Sequence, residues 1–330
     1  MMEISISKPG ILTTVQDSGR KNYLAQAVPL SGTLDGLSAR IANMALGNHE
    51  DFATLEFTYA AAEFKAETDI LIAYAGDGAF LVADGSKLPS ERPVFIPAGM
   101  VIKLINNPEG ATTYLAIAGG FNLPEVLESK STYLLGNFGG LEGRNLKPGD
   151  RLFNSENISF LSQNIMKSLE GTQISWPSWY IPRPYFLPKN RKIIRIFPAE
   201  EFTWFNSDSI ISFLSRDFLI GLNSNRMGIH ISGDKIFRRK QDELLSTAVC
   251  PGTIQVTGDG EMILLMADCQ TTGGYPRIGQ VAAVDLPLCA QLKPNDSIRF
   301  TEVSRDAAEI LYIEREKELE KFKLAIESKF

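Results

Sequence analysis

The chain has 330 residues, 44% of them apolar, and a net charge of −6; at roughly 100–200 residues per domain this is material for two cores. An acidic chain has no global basic field, which argues against nucleic acid or an anionic membrane as main partner and for a small molecule or another protein. No apolar run approaches the ~18 residues of a membrane span, and Met1–Gly10 has neither the basic nor the apolar region of a signal peptide, so a cytoplasmic protein is expected. Cys250, Cys269 and Cys289 are odd in number and lack CxxC spacing, and His49 and His230 are the only histidines, so neither a disulfide framework nor a metal site is expected.

Short β-like runs come first and dominate: Glu3–Ser7, Thr54–Tyr59, Ile70–Ala75, Phe80–Ala83, Met100–Ile105 and Thr113–Ala118. One early helix interrupts them. Asp35 caps it, Leu37, Ile41, Met44 and Ala45 form its apolar face, and Gly47 stops it. Asp84-Gly85 and Asp259-Gly260 lie between apolar runs, the composition of tight hairpin turns at positive φ, which favours antiparallel sheets or barrels over βαβ units. Between Asn154 and Lys192 the chain turns polar and then rich in proline and aromatics, including Trp176 to Tyr180 and Ile181-Pro182-Arg183-Pro184; this reads as a crossing segment lying against protein. Near the end, Ser304 caps a peripheral helix from Arg305 towards Lys329, with Ala308, Leu311, Leu319 and Phe322 on one face.

An internal echo points to two related halves. Leu146-Lys147-Pro148-Gly149-Asp150 leads into Arg151-Leu152-Phe153, and Leu292-Lys293-Pro294-Asn295-Asp296 into Ser297 to Phe300, each a turn into a closing strand. The expected organisation is a β-barrel-like domain over residues 1–153, a crossing segment over 154–189, a β-barrel domain over 190–303 and a terminal helix over 304–330.

Two polar clusters stand out. Thr13 to Arg20 passes from strand-like alternation into a turn containing Gln16, Asp17 and Arg20; the guanidinium fork suits a carboxylate or phosphate, and equally a turn ion pair with Asp17. The second begins where the apolar run Glu261–Ala267 stops at Asp268 and continues through Gln270, Thr271, Thr272, Gly273, Gly274 and Tyr275, with a Gly-Gly pair that lets backbone approach a ligand. Between them, Asn43, Asn48 and Glu56 are polar residues among apolar ones, Arg226 sits in a turn, and Gln255 is an amide on a strand. Gly136 to Gly143 is glycine-rich but is not GxGxxG, no GxxxxGK[ST] exists, and there is no Ala-Met-Lys-Met biotin attachment sequence.

In order along the chain, these clusters resemble the family of biotin-dependent carboxyltransferase-like proteins, also called allophanate hydrolase subunit 2, whose bacterial members include the C subunit of 5-oxoprolinase. The resemblance is carried by Thr13 to Arg20, Val28 to Asp35, Ala42-Asn43 with Gly47-Asn48, Leu55-Glu56, Tyr114 to Gly120, Ser129 to Thr132, Gly140 with Gly143-Arg144, Arg226 to Gly228, Gly252 to Val256 and Asp268 to Pro276. It departs in the second half: Pro198-Ala199-Glu200 stands where the family has Gly-Pro-Gln, His230-Ile231 where it has Arg-Leu, and Ser246-Thr247-Ala248 where it has Ser-Glu-Gly.

The resemblance implies a mainly β fold with short helices, built as two cyclophilin-like β-barrel domains related by duplication. A cleft between the halves would bring the Gln16–Arg20 and Asp268–Tyr275 turns together, as interdomain clefts commonly hold ligands. It implies a component of an ATP-dependent 5-oxoprolinase, acting with 5-oxoprolinase subunits A and B to open a lactam to glutamate. Asp17, Arg20, Asp35, Glu56, Asp268 and Gln270 are the candidate catalytic groups. Gln16, Asn43, Arg226, Gln255, Thr271, Thr272, Gly273, Gly274 and Tyr275 are the candidate substrate contacts. ATP is used by the complex, and no biotin is attached to this chain. The other readings are a carboxyltransferase component of a urea or amide carboxylase, with carboxybiotin delivered in trans, and a non-catalytic regulatory partner of a homologue of the oxoprolinase B subunit.

Overall fold

A computed structural model describes residues 1–239 and 244–329; residues 240–243 of the expected second barrel domain, and Phe330 of the expected terminal helix, lie outside the described residues. The chain divides into two units, the first comprising Met1–Gly19, Ser31–Phe186 and Glu318–Phe330 and the second Arg20–Leu30 and Leu187–Lys317. Among the described residues no helix is long and apolar enough to cross a membrane.

Unit 1 contains strands β1 (Glu3–Pro9), β2 (Leu12–Gln16), β3 (Thr54–Thr58), β4 (Ala62–Ala66), β5 (Ile70–Gly76), β6 (Ala79–Ala83), β7 (Ser86–Lys87), β8 (Val94–Ile96), β9 (Val101–Asn106), β10 (Thr112–Ile117) and β11 (Arg151–Phe153). They form two antiparallel sheets, ordered β11, β1, β4, β9, β6, β7 and β2, β3, β10, β5, β8. Helix α1 (Gly36–Ala45) packs on β5 and β10, which is why every residue of β10 is buried and β5 is apolar almost throughout instead of alternating. Its start and stop are as the sequence predicts: the Asp35 carboxylate accepts from Ser38 N–H, and Gly47 takes φ +69° where its N–H donates to Met44 C=O. Asp84 and Gly85, with φ of 47° and 71°, make the expected tight turn between β6 and β7.

The polar stretch read as part of a crossing segment contains a helix, α2 (Phe160–Leu169), capped by Ser159. Only Ser162 and Ile165 of α2 are buried, although Leu161, Ile165 and Leu169 recur at helical spacing.

Unit 2 is organised by a closed barrel of β12 (Ile193–Pro198), β13 (Phe218–Ile220), β14 (Gly228–Ser232), β16 (Thr253–Val256), β17 (Met262–Leu265), β19 (Arg277–Val281) and β20 (Ser297–Glu302). Parallel pairing of β12 with β20 is part of the ring; the other barrel pairs are antiparallel. Short strands β15 (Thr247–Ala248) and β18 (Thr272–Gly273) form a separate pair. Helix α3 (Ser207–Ser215) packs near β20, α4 (Leu286–Cys289) is a single turn, and α5 (Arg305–Glu327), which belongs to unit 2 up to Lys317 and to unit 1 from Glu318, is the expected terminal helix, with Ser304 Oγ accepting from Ala307 N–H. The Asp259-Gly260 hairpin joins β16 to β17, but only Gly260 has positive φ, because the wider loop closed by Thr257 and Glu261 needs one left-handed residue and not two.

The mainly β class is therefore as expected, with the closed barrel in unit 2 and two sheets in unit 1. The echoed turns have the same construction. In one, Lys147 N–H donates to the Asp150 carboxylate (2.7 Å), Gly149 has φ +90°, and Ile6 exchanges backbone bonds with Gly149 and Asp150. In the other, Lys293 N–H donates to Asp296 (2.8 Å), Asn295 has φ +70°, and Ile220 exchanges bonds with Asn295 and Asp296. Proline followed by a residue at positive φ is the composition of a type II turn.

Candidate functional site

The unit 1 candidates lie in two buried hydrogen-bonded groups. Asp17, just past β2, accepts from Gly19 N–H (2.9 Å), Ser129 Oγ (2.6 Å), Ser131 Oγ (2.5 Å) and Lys130 N–H (2.5 Å), so its carboxylate binds segment 129–131 to the end of β2. Gln16 continues that attachment, its amide N–H₂ donating to Thr14 Oγ1 and Thr132 C=O, while its Oε1 is buried without a hydrogen-bond partner. Arg20 is buried and its backbone N–H donates to Leu30 C=O (2.7 Å) within unit 2. Gly32 has φ +82°, and a Cβ there would lie 2.9 Å from Asp17 C=O, so only glycine lets the 31–35 loop pass this close.

Asp35 and Glu56 meet through Tyr114. The phenol donates to Glu56 Oε2 (2.7 Å) and accepts from Asp35 N–H (2.8 Å), while Glu56 also accepts from Leu34 N–H (2.9 Å). Burial, and then the charges of Glu56 and Asp35, push the Tyr114 phenol well above its ordinary range, so it stays protonated. Arg183, 1% exposed, reaches Asp77 (2.7 Å) and Asp35 (3.3 Å); burial opposes its charge, but the two carboxylates outweigh that and raise its pKa. Asn43 donates to Phe52 C=O (2.7 Å) and accepts from Asn48, whose amide also spans to Ile117 C=O and Gly119 N–H. These side chains tie loops and a helix start to the sheet.

Unit 2 presents a different arrangement. Arg226 and Asp268 form a buried bidentate pair (2.8 and 3.1 Å), and Asp268 N–H donates to Arg226 C=O (2.9 Å), which fixes the start of the 268–276 turn. The turn is then pinned by Val249 N–H to Thr271 C=O (3.0 Å), by the β15–β18 pairing through Thr272 and Gly273, and by Val256 N–H to Pro276 C=O (2.9 Å). Gly274 is exposed beside it. Buried Cys269 is no nucleophile here: burial, with Cys250 and Asp268 nearby, raises its thiol pKa to about 12.

Above the barrel wall this turn completes an open pocket of about 220 Å³. That is below the ~300–1,000 Å³ of drug-sized ligand sites, so a small metabolite suits it. His230 of β14 is paired with Ile263 of β17, and Ile263 with Gln255 of β16, so the three form one row across adjacent strands. Ile229, Ile231, Ile254 and Leu264 alternate with that row and are buried. Leu265 and Gly228 extend the apolar floor, and Asn225, Met227, Gln270 and Tyr275 supply the rim. A Cβ on Gly228 would come 2.9 Å from Ile263 Cγ2, so glycine keeps this floor open.

The polar groups of the pocket form a chain: Gln270 N–H₂ donates to Gln255 Oε1 (3.3 Å), and Gln255 N–H₂ donates to Tyr275 C=O (3.2 Å). Each amide retains hydrogen-bonding capacity, so together they offer donors and an acceptor to a ligand amide. Gly273 belongs to this device, since a Cβ there would meet Gln255 Nε2 at 2.4 Å. Nearby, Arg277 grips buried Glu201 bidentately (2.6 and 2.7 Å), and although burial opposes it, this holds Glu201 below the ordinary carboxylate range. Sequence reasoning passed over Arg183, Glu201, Arg277, Asn225, Met227 and the pocket position of His230. Of these, Met227 carried a signal within the Arg226 to Gly228 motif, and His230 carried one as a departure from the family pattern.

The geometry is that of a mainly β chain with a closed barrel and a small pocket on the barrel wall. The chain belongs to the family described as carboxyltransferase domain, subdomain A and B, whose model matches residues 26–302. It is 34% identical over 307 residues to the C subunit of 5-oxoprolinase from Escherichia coli (strain K12), covering 92% of this chain and 93% of that one. It is 31% identical over 322 residues to the C subunit of 5-oxoprolinase from Haemophilus influenzae, covering 96% of each. Among solved structures, the urea amidolyase of K. lactis aligns with a TM-score of 0.85 at 28% identity over 97% of this chain, but this chain spans only 20% of that protein.

Proposed function

We propose that this chain is the C subunit of an ATP-dependent 5-oxoprolinase, contributing to the hydrolytic opening of 5-oxo-L-proline to L-glutamate in a cytoplasmic complex with the A and B subunits. The observation that carries this reading is the match along nearly the full length of both chains to two proteins named as 5-oxoprolinase C subunits. The pocket supports it. A lactam presents one N–H and one C=O on the same edge, and the paired amides of Gln255 and Gln270 offer the complementary acceptor and donor.

A lactam carbonyl is a poor electrophile. Phosphorylation of its oxygen by ATP, with release of ADP, makes the carbon a better electrophile. Water adds to it, the C–N bond breaks as the nitrogen takes a proton and leaves as the amine, and a second water hydrolyses the resulting acyl phosphate to the carboxylate and phosphate. Amide donors such as Gln270 steady the oxygen as charge develops. Within this reading the Arg226–Asp268 pair holds the turn that carries Gln270, and Asp17, Asp35 and Glu56 keep the unit 1 scaffold in place. The test is to purify the chain with candidate A and B subunits and measure ATP hydrolysis and glutamate release on adding 5-oxoproline. Substrate-dependent turnover that needs this chain is expected; its absence with every combination of partners would refute the reading.

A second reading has its own support, the structural likeness to urea amidolyase. In it the pocket holds a urea-type amide that receives a carboxyl group from carboxybiotin supplied by another protein. Carboxylated product from urea, bicarbonate and a biotinylated carrier, without lactam-dependent ATP turnover, would favour it.

A further inference from the structure

The pocket has a second pole that the amide pair does not use. His230 lies on β14, across β17 from Gln255, in the same cross-strand row through Ile263. Two inter-strand spacings of ~4.8 Å put their backbones roughly 10 Å apart. The His230 backbone is committed, its N–H donating to Ser224 Oγ (3.2 Å) and its C=O accepting from Gly221 N–H (2.8 Å), which sets the strand against the 221–225 loop. A Cβ on Gly221 would lie 3.1 Å from His230 Cβ, so glycine there leaves room at the base of the ring.

The imidazole itself is exposed and makes no hydrogen bond or ion pair among the described residues. The rest of the lining consists of amides, a phenol and apolar groups; among the described residues no carboxylate, lysine or arginine lines it. His230 is therefore the one side chain of the lining that can itself carry a positive charge opposite an anionic group on a ligand.

The geometry points to His230 as the residue that selects for an anionic substituent on the ligand, receiving a carboxylate at the β14 side while the ring amide lies against Gln255 and Gln270. This deepens the 5-oxoprolinase reading and rests on it. A ring amide bearing one carboxylate spans the apolar strip of Ile263, with hydrogen bonds of ~2.8 Å at each end. The row thus specifies a ligand class, a small lactam acid, and makes a lactam without the acid a poorer ligand.

The chain contains two histidines, His49 and His230, which makes the test direct. His49 belongs to unit 1, where its ring lies 5.9 Å from that of Phe52, and it serves as an internal reference. Histidine ring signals of the full chain, assigned with His230→Gln and His49→Gln, are followed by NMR during titration with 5-oxo-L-proline and separately with 2-pyrrolidinone, the same lactam without its carboxylate. We expect 5-oxoproline to shift the His230 signal and leave His49 in place. His230→Leu, which removes the donor, is expected to weaken 5-oxoproline by about tenfold or more, the scale of one hydrogen bond to a charged group, leaving pyrrolidinone unaffected; His230→Arg should keep the preference for the acid. If both lactams bind equally and His230→Leu alters neither, the inference falls while the functional reading stands. If neither lactam binds or perturbs the chain, alone or assembled with the A and B subunits, both fall.

Discussion

The Asp17–Asp35–Glu56 region of unit 1 and the His230–Gln255–Gln270 region of unit 2 are both polar, yet they are built in opposite ways. In unit 1 the carboxylates are ionic groups surrounded by hydroxyls, backbone N–H groups and Arg183, and their hydrogen bonds fasten one segment to another. In unit 2 the groups facing the pocket carry no carboxylate, lysine or arginine; His230 and Gln270 are exposed, Gln255 is buried beneath them, and their hydrogen-bonding capacity is only partly used by their neighbours, while the charged pairs Arg226–Asp268 and Arg277–Glu201 support the elements around them. In the proposed reading the buried, satisfied charge is framework and the polarity with hydrogen-bonding capacity left over is the binding surface.

The strongest way to break this contrast is to remove Arg183. Arg183→Ala withdraws a buried cation from Asp35 and Asp77 and is expected to cost about 3–5 kcal/mol, read as a lower urea midpoint of unfolding. A loss below about 1 kcal/mol, the range of surface pairs, would remove the distinction. Asp17→Ala should cost less, about 1–3 kcal/mol in the same experiment, because Asp17 is half-buried, although the hydroxyls of Ser129 and Ser131 that it leaves are buried.

Gln270→Ala sharpens the contrast from the other side. Its stability should change by no more than about 0.5 kcal/mol, as for other exposed positions, while affinity for 5-oxoproline measured by calorimetry drops by roughly tenfold, about one hydrogen bond to the ligand. The smallest effect concerns pH. Glu201 is held below its ordinary range by Arg277, so it binds a proton less readily folded than unfolded. Its stabilisation is present above the usual carboxylate value of ~4.3 and is lost as pH falls through the lower folded value. Wild type should therefore lose thermal stability below about pH 4 more steeply than Glu201→Gln.

What was legible in the sequence was local chemistry. Asp35 as a cap, Gly47 as a stop and the twin Lys-Pro turns each follow from residues within a few positions of one another, and the structure has them as expected. The Asp268–Tyr275 turn was visible because an apolar strand ended in amides and glycines. Arg183 was not legible as a site residue, since its partners Asp77 and Asp35 lie 106 and 148 positions away and its own neighbours are prolines. Nor was the row of His230, Ile263 and Gln255, which exists only through the register of three strands. Helix α2 carries Leu161, Ile165 and Leu169 at helical spacing, but it lies in a polar stretch running into prolines and aromatics that reads as a connection.

The most direct test of the central claim is to place Gln270→Ala and, separately, Asp17→Ala in the assembled enzyme and measure 5-oxoproline-dependent glutamate release beside the melting temperature of each chain. The account predicts that Gln270→Ala, at an exposed position, melts like wild type but loses turnover, and that Asp17→Ala melts lower but turns over normally per folded molecule. The reverse result, turnover kept without the Gln270 amide and lost with Asp17→Ala in a chain that melts like wild type, would contradict it.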